Sequence, residues 1–448
     1  MSLEQFGYQD QLDRALTLSD LIVYGMIFMV PIAPFSVFGF VWHDARGMVA
    51  LAYLIGLAGM LFTALSYAAM SQAFPLAGSV YAYVQRGLHE VAGFLAGWLI
   101  LLDYILVPAL LYLFSAVALQ PILPAVPAWV WLVGFVSFNA AANLLGIRFT
   151  ARLYRVLLAL ELLTLALFVI FGAMALHAGA GAGGLTLAPL YDPRNFSLST
   201  VAGATSIAVL SFLGFDGIST LSEESTGAQN AVARATVLSL VLIGALFMLQ
   251  TWIAADLGRG MRFDDPSTAF YDIAARAGGT PLRLISIVAI AVSFGIANAM
   301  AAQAAVSRVL FAMARDRKLP AILATVHPRF KTPYISTLLV AAVSLIVGLF
   351  FANHIDDLTR VVNFGALTSF ALLHLAVAYH HFFRQRTGAW LRHLIFPLAG
   401  FTVILYVLYG MDRAAKILGG CWVAAGVLYY LILAVRARGR PGTVSFDP

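Results

Sequence analysis

Apolar residues along this chain gather into long runs separated by short polar stretches. Each run is roughly 18–25 residues, the length a helix needs to cross about 30 Å of hydrocarbon. The pattern predicts twelve helical spans, near 20–41, 47–70, 91–118, 128–146, 153–176, 200–222, 234–257, 281–307, 333–352, 358–382, 393–411 and 414–435. The expected fold class is therefore an all-α polytopic membrane protein. A segment at 1–19 precedes the first span, and a tail at 436–448 follows the last.

Two spans are interrupted in matching ways. In the first, Tyr24-Gly25-Met26-Ile27-Phe28-Met29-Val30-Pro31-Ile32-Ala33-Pro34, two prolines each remove a backbone donor. In the sixth, Ser211-Phe212-Leu213-Gly214-Phe215-Asp216-Gly217, two glycines weaken the helix and a carboxylate sits at membrane depth. The interruptions lie five spans apart. Broken helices at corresponding places in two halves of a chain point to an inverted-repeat carrier with its site between them, although ordinary kinked helices also contain Gly and Pro.

Composition narrows the choice. Apolar residues make up 61% of the 448 positions and charged residues 11%, against about 25% charged in soluble domains. No soluble core of this length could absorb that apolar surface, so the bilayer is the solvent. The net charge of +6 comes from 27 Lys+Arg against 21 Asp+Glu. The basic residues lie between spans, so they bear on topology rather than on nucleic acid. With the N-terminus inside, about twice as many fall on the inner side as on the outer, which predicts a multi-pass protein of the cytoplasmic membrane with both termini cytoplasmic. Segment 1–19 lacks an apolar run and does not read as a cleavable signal peptide. The lone Cys421 excludes an internal disulfide and a cysteine-based metal site. His374, His380 and His381 have no metal-ligand spacing. The glycines of 179–184 fit G-x-G-x-x-G formally, but they follow a membrane helix and belong to no βαβ unit, so they read as a flexible linker. No cofactor, metal or catalytic residue is called for.

Five stretches resemble a known family. They are Phe74-Pro75-Leu76-Ala77-Gly78-Ser79-Val80-Tyr81; Gly97-Trp98 with Leu101-Leu102-Asp103-Tyr104; Ser211 to Asp216 with Leu221-Ser222-Glu223-Glu224; Ser307-Arg308-Val309-Leu310-Phe311-Ala312-Met313-Ala314-Arg315-Asp316 with Leu319-Pro320; and Asn363-Phe364-Gly365-Ala366. In this order the chain is similar to the amino acid–polyamine–organocation superfamily of permeases, and within it to the bacterial putrescine importer branch. The resemblance implies a leucine-transporter-type fold. One five-helix repeat at 20–176 is followed by an inverted one at 200–382 and by two further helices at 393–435. It also implies a substrate site where spans 1 and 6 unwind, flanked by spans 3, 8 and 10. Candidate substrate-binding residues are Gly25, Met26, Ile27, Phe28, Asp103, Tyr104, Phe212, Gly214, Phe215 and Asp216. Many amino acid carriers of this superfamily have a small glycine turn in span 1 that holds a carboxylate. The bulky Met26-Ile27-Phe28 after Gly25 resembles the putrescine branch instead, whose substrate has none.

Several charged residues have a structural reading beside the functional one. A lone carboxylate at membrane depth costs about 2.5–3.5 kcal/mol on insertion scales, so Asp216 needs a cationic substrate, a proton or an arginine, or else caps the following half-helix. Asp103 with Tyr104 suits an ammonium through charge and cation–π contact, unless only one of the two faces the cavity. Glu161, in mid-span 5, is a coupling candidate for a proton or other cation between spans 1, 5 and 8; the alternative is a hydrogen bond to a neighbouring helix. Glu223 and Glu224, near Arg234, are gate candidates or a solvated helix end. Arg308 and Arg315 are each expected to pair with Asp316. The expected partners are thus a small cationic or zwitterionic substrate, a coupling proton or other cation, and the lipid bilayer. The expected function is secondary active transport of a small amine, polyamine or amino acid. An exchanger of the same fold is the alternative. A channel is more remote, because no charged ring or filter sequence is visible. A membrane enzyme would need paired catalytic groups, and none occurs.

Overall fold

The computed structural model describes residues 11–120, 122–226, 230–352, 355–411 and 413–438, without the side chains of 355–357, 359–361 and 436–438. The first ten residues and the tail expected at 436–448, apart from the backbone of 436–438, lie outside the described residues. Helices follow one another: α1 (Leu18–Met29), α2 (Pro34–Asp44), α3 (Val49–Ala73), α4 (Ser79–Gly87), α5 (Glu90–Leu119), α6 (Ala128–Leu144), α7 (Ile147–His177), α8 (Leu198–Ala208), α9 (Ala231–Leu257), α10 (Ala269–Val292), α11 (Ala299–Arg315), α12 (Tyr334–Phe350), α13 (Ile355–Val377), α14 (Phe396–Gly410) and α15 (Arg413–Arg438). Two 3₁₀ segments, Val209–Phe212 and Phe215–Glu224, continue α8, and a π-helical turn, Ser293–Asn298, joins α10 to α11. The described residues form no strand beyond an isolated bridge between Leu16 and Ser225.

Among the described residues, nine helices are long and apolar enough to cross a membrane, or ten when the bent pair α1 and α2 counts as one. The fourth and ninth predicted spans fall on α6 and α12, apolar helices of 17 residues each. The protein is an all-helical, multi-pass membrane protein.

Two stretches read as loops are helical. The polar region at 258–283 contains the first part of α10, which breaks at Gly278 and Gly279 before the eighth span begins. Its amphipathic pattern explains this: Phe270, Ile273 and Ala274 are buried, with Phe270 stacked on Phe35, while Arg276 bonds the carbonyls of Leu257 and Arg259 at 3.0 Å each. The second is α4, tucked against α5. The glycine stretch 179–184 is a packed turn rather than a loose linker. Gly181 has positive φ, Ala182 N–H donates to the Asp256 carbonyl (2.9 Å), and a Cβ on Gly181 would fall 2.2 Å from that same oxygen.

Local chemistry sets the first span. Thr17 and Asp20 form a capping box: Thr17 Oγ1 accepts from Asp20 N–H (3.3 Å), and the Asp20 carboxylate accepts from Thr17 N–H (3.0 Å). Arg155 of α7 also donates to Asp20. Nearby, Arg148 pairs with Asp13 at 2.7 and 3.2 Å, and its hydrogen bond and charge hold the Asp13 carboxyl below its ordinary value. This tie is intact above the ordinary carboxylate value and is lost as pH falls through the lowered one.

The helix breaks at Val30–Ala33, where α1 and α2 meet at a 50° bend. Residues Gly25 to Phe28 are still helical, so the chain unwinds only after the candidate binding residues of the first span. The missing donors of Pro31 and Pro34 break the ladder only from Val30 onward. Gly25 serves close packing: a Cβ there would meet Ile218 Cδ1 at 2.4 Å and Ser239 Oγ at 2.8 Å. The eighth helix pairs its break with this one. Leu213–Gly214 separates the two 3₁₀ segments, with Gly214 at φ 117°. Phe28 lies on the glycines of that break; its ring would be 2.8 Å from a Cβ on Gly214 and 2.3 Å from one on Gly217. The two interruptions therefore face each other.

This contact predicts a coupled pair of substitutions. Gly217→Ala overpacks against Phe28 and lowers stability by about 1–3 kcal/mol. Phe28→Leu in the same molecule returns part of the loss. Thermal unfolding of the single and double variants in detergent reads the coupling, and strictly additive losses would contradict it.

Candidate functional site

A cavity of about 60 Å³ opens where the breaks meet. Its walls come from five places. Phe28 and Met29 end α1, Ala33 closes the first break and Val37 follows in α2; α5 supplies Asp103, Tyr104, Val107, Leu110, Leu111 and Phe114. Leu210, Ser211, Leu213 and Gly214 come from the break after α8, and Phe294 and Asn298 from the π turn. A π turn holds one more residue than an α turn, which rotates the side chains that follow it. Asn298 is turned into the cavity in this way, with its Oδ1 buried and without a hydrogen-bond partner.

Asp103 and Tyr104 both line the cavity, although neighbours on a helix point about 100° apart. The cavity is wide enough along α5 to take both. Asp103 is 3% exposed, and among the described residues its Oδ1 has no hydrogen-bond partner. Asp216 is differently placed. Its carboxylate accepts from the Tyr104 hydroxyl and from Gly214 N–H (3.2 Å). It ties the break to α5 and satisfies a backbone donor that the break has freed. Among the described residues neither carboxylate has an ion-pair partner in the protein. Apart from Ser211 and Asn298, the rest of the wall is apolar.

Six of the ten expected binding residues do not line the cavity: Asp216 reaches it only through Tyr104 and Gly214, Gly25 packs on Ile218 and Ser239, and four more lie elsewhere. Met26 and Ile27 are buried in α1 but do not line the cavity. Phe212 packs on Tyr53 and Phe247, and Phe215 on Tyr67 and Phe370. The tight 3₁₀ winding swings these two rings away from the cavity into α3, α9 and α13. In α13, Asn363 bonds the Ser206 carbonyl (3.2 Å), and Gly365 lets α13 approach the Leu99 carbonyl of α5, 2.4 Å from where its Cβ would be. Span 10 thus packs behind the site. The sequence reading missed the apolar wall from Val107 to Phe114, which has no polar signal. It also missed Asn298, whose signal was an amide inside an apolar run.

Glu223 and Glu224 are neither solvated nor paired with Arg234. Glu224 forms a two-pronged pair with Arg308, whose Nη2 lies 2.9 Å from Oε2, and Arg308 Nη1 donates to the Ala304 carbonyl (2.9 Å). Glu223 takes two bonds from Arg315 (2.9 and 3.1 Å) and one from Ala77 N–H (3.0 Å). Tyr81 donates to Asp316 (2.7 Å). The pairing of Arg308 expected with Asp316 goes to Glu224, because α11 runs alongside the 3₁₀ segment and presents Arg308 to it. The Glu224 carbonyl accepts from Ala15 and Leu16 N–H, 3.0 Å each, so the leading segment closes over the same end.

Glu161 is far from this arrangement. It is 2% exposed, and among the described residues neither carboxylate oxygen has a partner at full hydrogen-bond geometry; the Ser293 hydroxyl is the side-chain donor that interacts with it. It opens on a groove of about 500 Å³ between α7 and α10, to which α1 contributes no residue. The pocket between spans 1, 5 and 8 is thus a groove between spans 5 and 8 alone. Ser293, the first residue of the π turn, lines it.

Comparison with known proteins adds a framework. The family model described as amino acid permease matches residues 16–433. The low-affinity putrescine importer PlaP of Escherichia coli (strain K12) is 30% identical over 429 residues, 94% of this chain and 93% of that protein. The branched-chain amino acid permease BcaP of Bacillus subtilis (strain 168) is 26% identical over 82% of this chain and 81% of its own. The methylthioribose transporter of the same organism is 27% identical over 94% and 93%.

The buried pairs lead to a measurable expectation. Arg308→Met leaves Glu224 buried without its counter-charge and lowers stability by about 3–5 kcal/mol. Removing both partners, Arg308→Met with Glu224→Met, costs less than the two single losses added together. Melting temperatures of the three variants test this, and additive losses would count against a buried pair.

Proposed function

The chain belongs to the amino acid permease family, and we propose that within it this protein is a secondary active transporter of small amines. It is a transporter and not an enzyme. The observation that carries the amine reading is the Asp103 carboxylate, with a free oxygen in an apolar cavity that holds no cation of the protein. A protonated amine supplies the missing charge, the Tyr104 ring offers it a π face, and an aliphatic body suits the apolar wall.

An amino acid would also bring a carboxylate, and the breaks have little to offer it. Pro31 and Pro34 have no N–H, Ala33 N–H is spent on the Val30 carbonyl (2.8 Å), and Gly214 N–H is spent on Asp216. The printed name of PlaP, a putrescine importer, agrees with a substrate that lacks a carboxylate. That of BcaP supports an amino acid as the second reading.

Transport in this reading is by alternating access in the cytoplasmic membrane, with both termini cytoplasmic. The inverted repeats are 20–176 and 200–382, and 393–435 are the added helices. The pairs Glu223–Arg315 and Glu224–Arg308 form the cytoplasmic gate, closed in this conformation. Glu161 is the candidate for the coupled proton or other cation. Its link to the substrate is the π turn, with Ser293 at the groove and Phe294 and Asn298 at the cavity.

Two substitutions test the parts separately. Asp103→Asn removes the charge-assisted bond to the ammonium, so uptake of radiolabelled putrescine into proteoliposomes falls by about tenfold or more. Uptake equal to wild type would retire the amine reading. Glu161→Gln keeps putrescine binding but abolishes uptake driven by an imposed pH gradient, while counterflow exchange continues. Undiminished gradient-driven uptake would remove Glu161 from coupling.

A further inference from the structure

The Glu161 groove has features that a proton site does not need. Its rim carries Leu160, Leu163, Leu284, Ile285 and Val288, all more than 40% exposed and all apolar. That surface meets lipid tails. Among the described residues the only acid in the wall is Glu161, buried, with no charged partner and neither oxygen at full hydrogen-bond geometry to a donor. An unpaired carboxylate against hydrocarbon is costly, and it is relieved by a group that brings a donor and an apolar body together.

We propose that the groove between α7 and α10 is a second binding site, open to the bilayer, for a lipophilic primary amine whose nitrogen pairs with Glu161. Charge complementarity selects this occupant. An alcohol offers a weaker neutral bond, and a fatty acid adds a second carboxyl to the first. Depth excludes a lipid headgroup. Glu161 lies about 21 Å and about 24 Å from the two ends of α7 at 1.5 Å per residue, well below the polar interface. The amine arrives neutral through the hydrocarbon and shares one proton with the carboxyl group. The N···H···O pair thus forms without carrying net charge into the membrane. Bound there, the amine holds α7 against α10 beside Ser293. It therefore inhibits transport if the coupling role of Glu161 stands, whereas its binding does not depend on that role.

The test uses the full chain in phosphatidylcholine nanodiscs, with empty discs subtracted and excess putrescine filling the central cavity. Titration calorimetry compares octylamine, octanol and octanoate. Wild type binds octylamine about tenfold or more tighter than octanol, the ratio expected of one charge-assisted bond. Glu161→Gln erases the preference. Ala289→Phe, which fills the groove and leaves the carboxyl in place, weakens octylamine and octanol alike; it decides the matter alone if Glu161→Gln does not fold. Equal affinity for octylamine and octanol in wild type overturns the proposal, and so does a preference that survives both substitutions. A preference lost in Asp103→Asn but kept in Glu161→Gln assigns the amine to the central cavity and overturns it too. Failure of the amine-transport reading has a different signature: putrescine uptake survives Asp103→Asn, whatever octylamine does.

Discussion

A helix broken inside hydrocarbon leaves backbone groups that no water can reach, and this structure depends on how two such breaks are satisfied. At the first, prolines reduce the number of donors to place, and the buried Pro31 carbonyl accepts from Gln250 Nε2 at 2.8 Å. At the second, Asp216 accepts the Gly214 N–H. Tyr104 then anchors Asp216 to α5, and Phe28 fills the space over Gly214 and Gly217. Each of these groups is also at or beside the cavity. The cavity is thus the region where the chain could not remain helical and had to bring in side chains from α5 and α9.

The far end of the same broken helix is held by a different force. Burying two carboxylates and two guanidinium groups is expensive, and only close geometry with extra bonds offsets it. The structure provides both: Arg308 also reaches the Ala304 carbonyl, and Glu223 also takes Ala77 N–H. Ala77 and Tyr81, Glu223 and Glu224, and Arg308 to Asp316 come from three separate stretches that carried the family resemblance. They meet in one knot. A buried pair of this kind adds little net stability but specifies geometry, because any other register strands a charge. That suits an element with two alternative arrangements, where each must be well defined and neither too deep.

Much of this was legible before any coordinates. The prolines after α1 and the glycines after α8 marked both breaks, since missing donors and missing side chains act locally. Asp103 and Asp216 declared themselves as charges in apolar runs. What the sequence could not convey was direction. Phe212 and Phe215 flank the break but turn outward, because 3₁₀ winding at three residues per turn replaces the rotation an α-helix would give. Glu224 finds Arg308 rather than the nearer Arg234, a choice made by packing between segments 84 residues apart. The amphipathic start of α10 was hidden because its arginines looked like loop charges. Glu161 was visible as a buried acid beside span 8, but span 1, also expected there, contributes nothing to its groove.

The π turn at Ser293–Asn298 lies between the Glu161 groove and the cavity and contributes residues to both. A π turn is a register shift stored in a helix, with one residue more than the α ladder needs. Residues on its two sides therefore report on each other: shortening the turn to α geometry rotates everything beyond it by roughly 100°. Here Ser293 faces the Glu161 groove, while Phe294 and Asn298 face the cavity. A change of charge at Glu161 that drew Ser293 toward it or released it would act on the turn directly. Through the turn it would act on Phe294 and the unsatisfied Asn298 amide. No chain of contacts through the core is required, only one helix with two registers whose balance both sites can bias. That makes the eighth span, rather than either acid, the element on which coupling in this protein would depend.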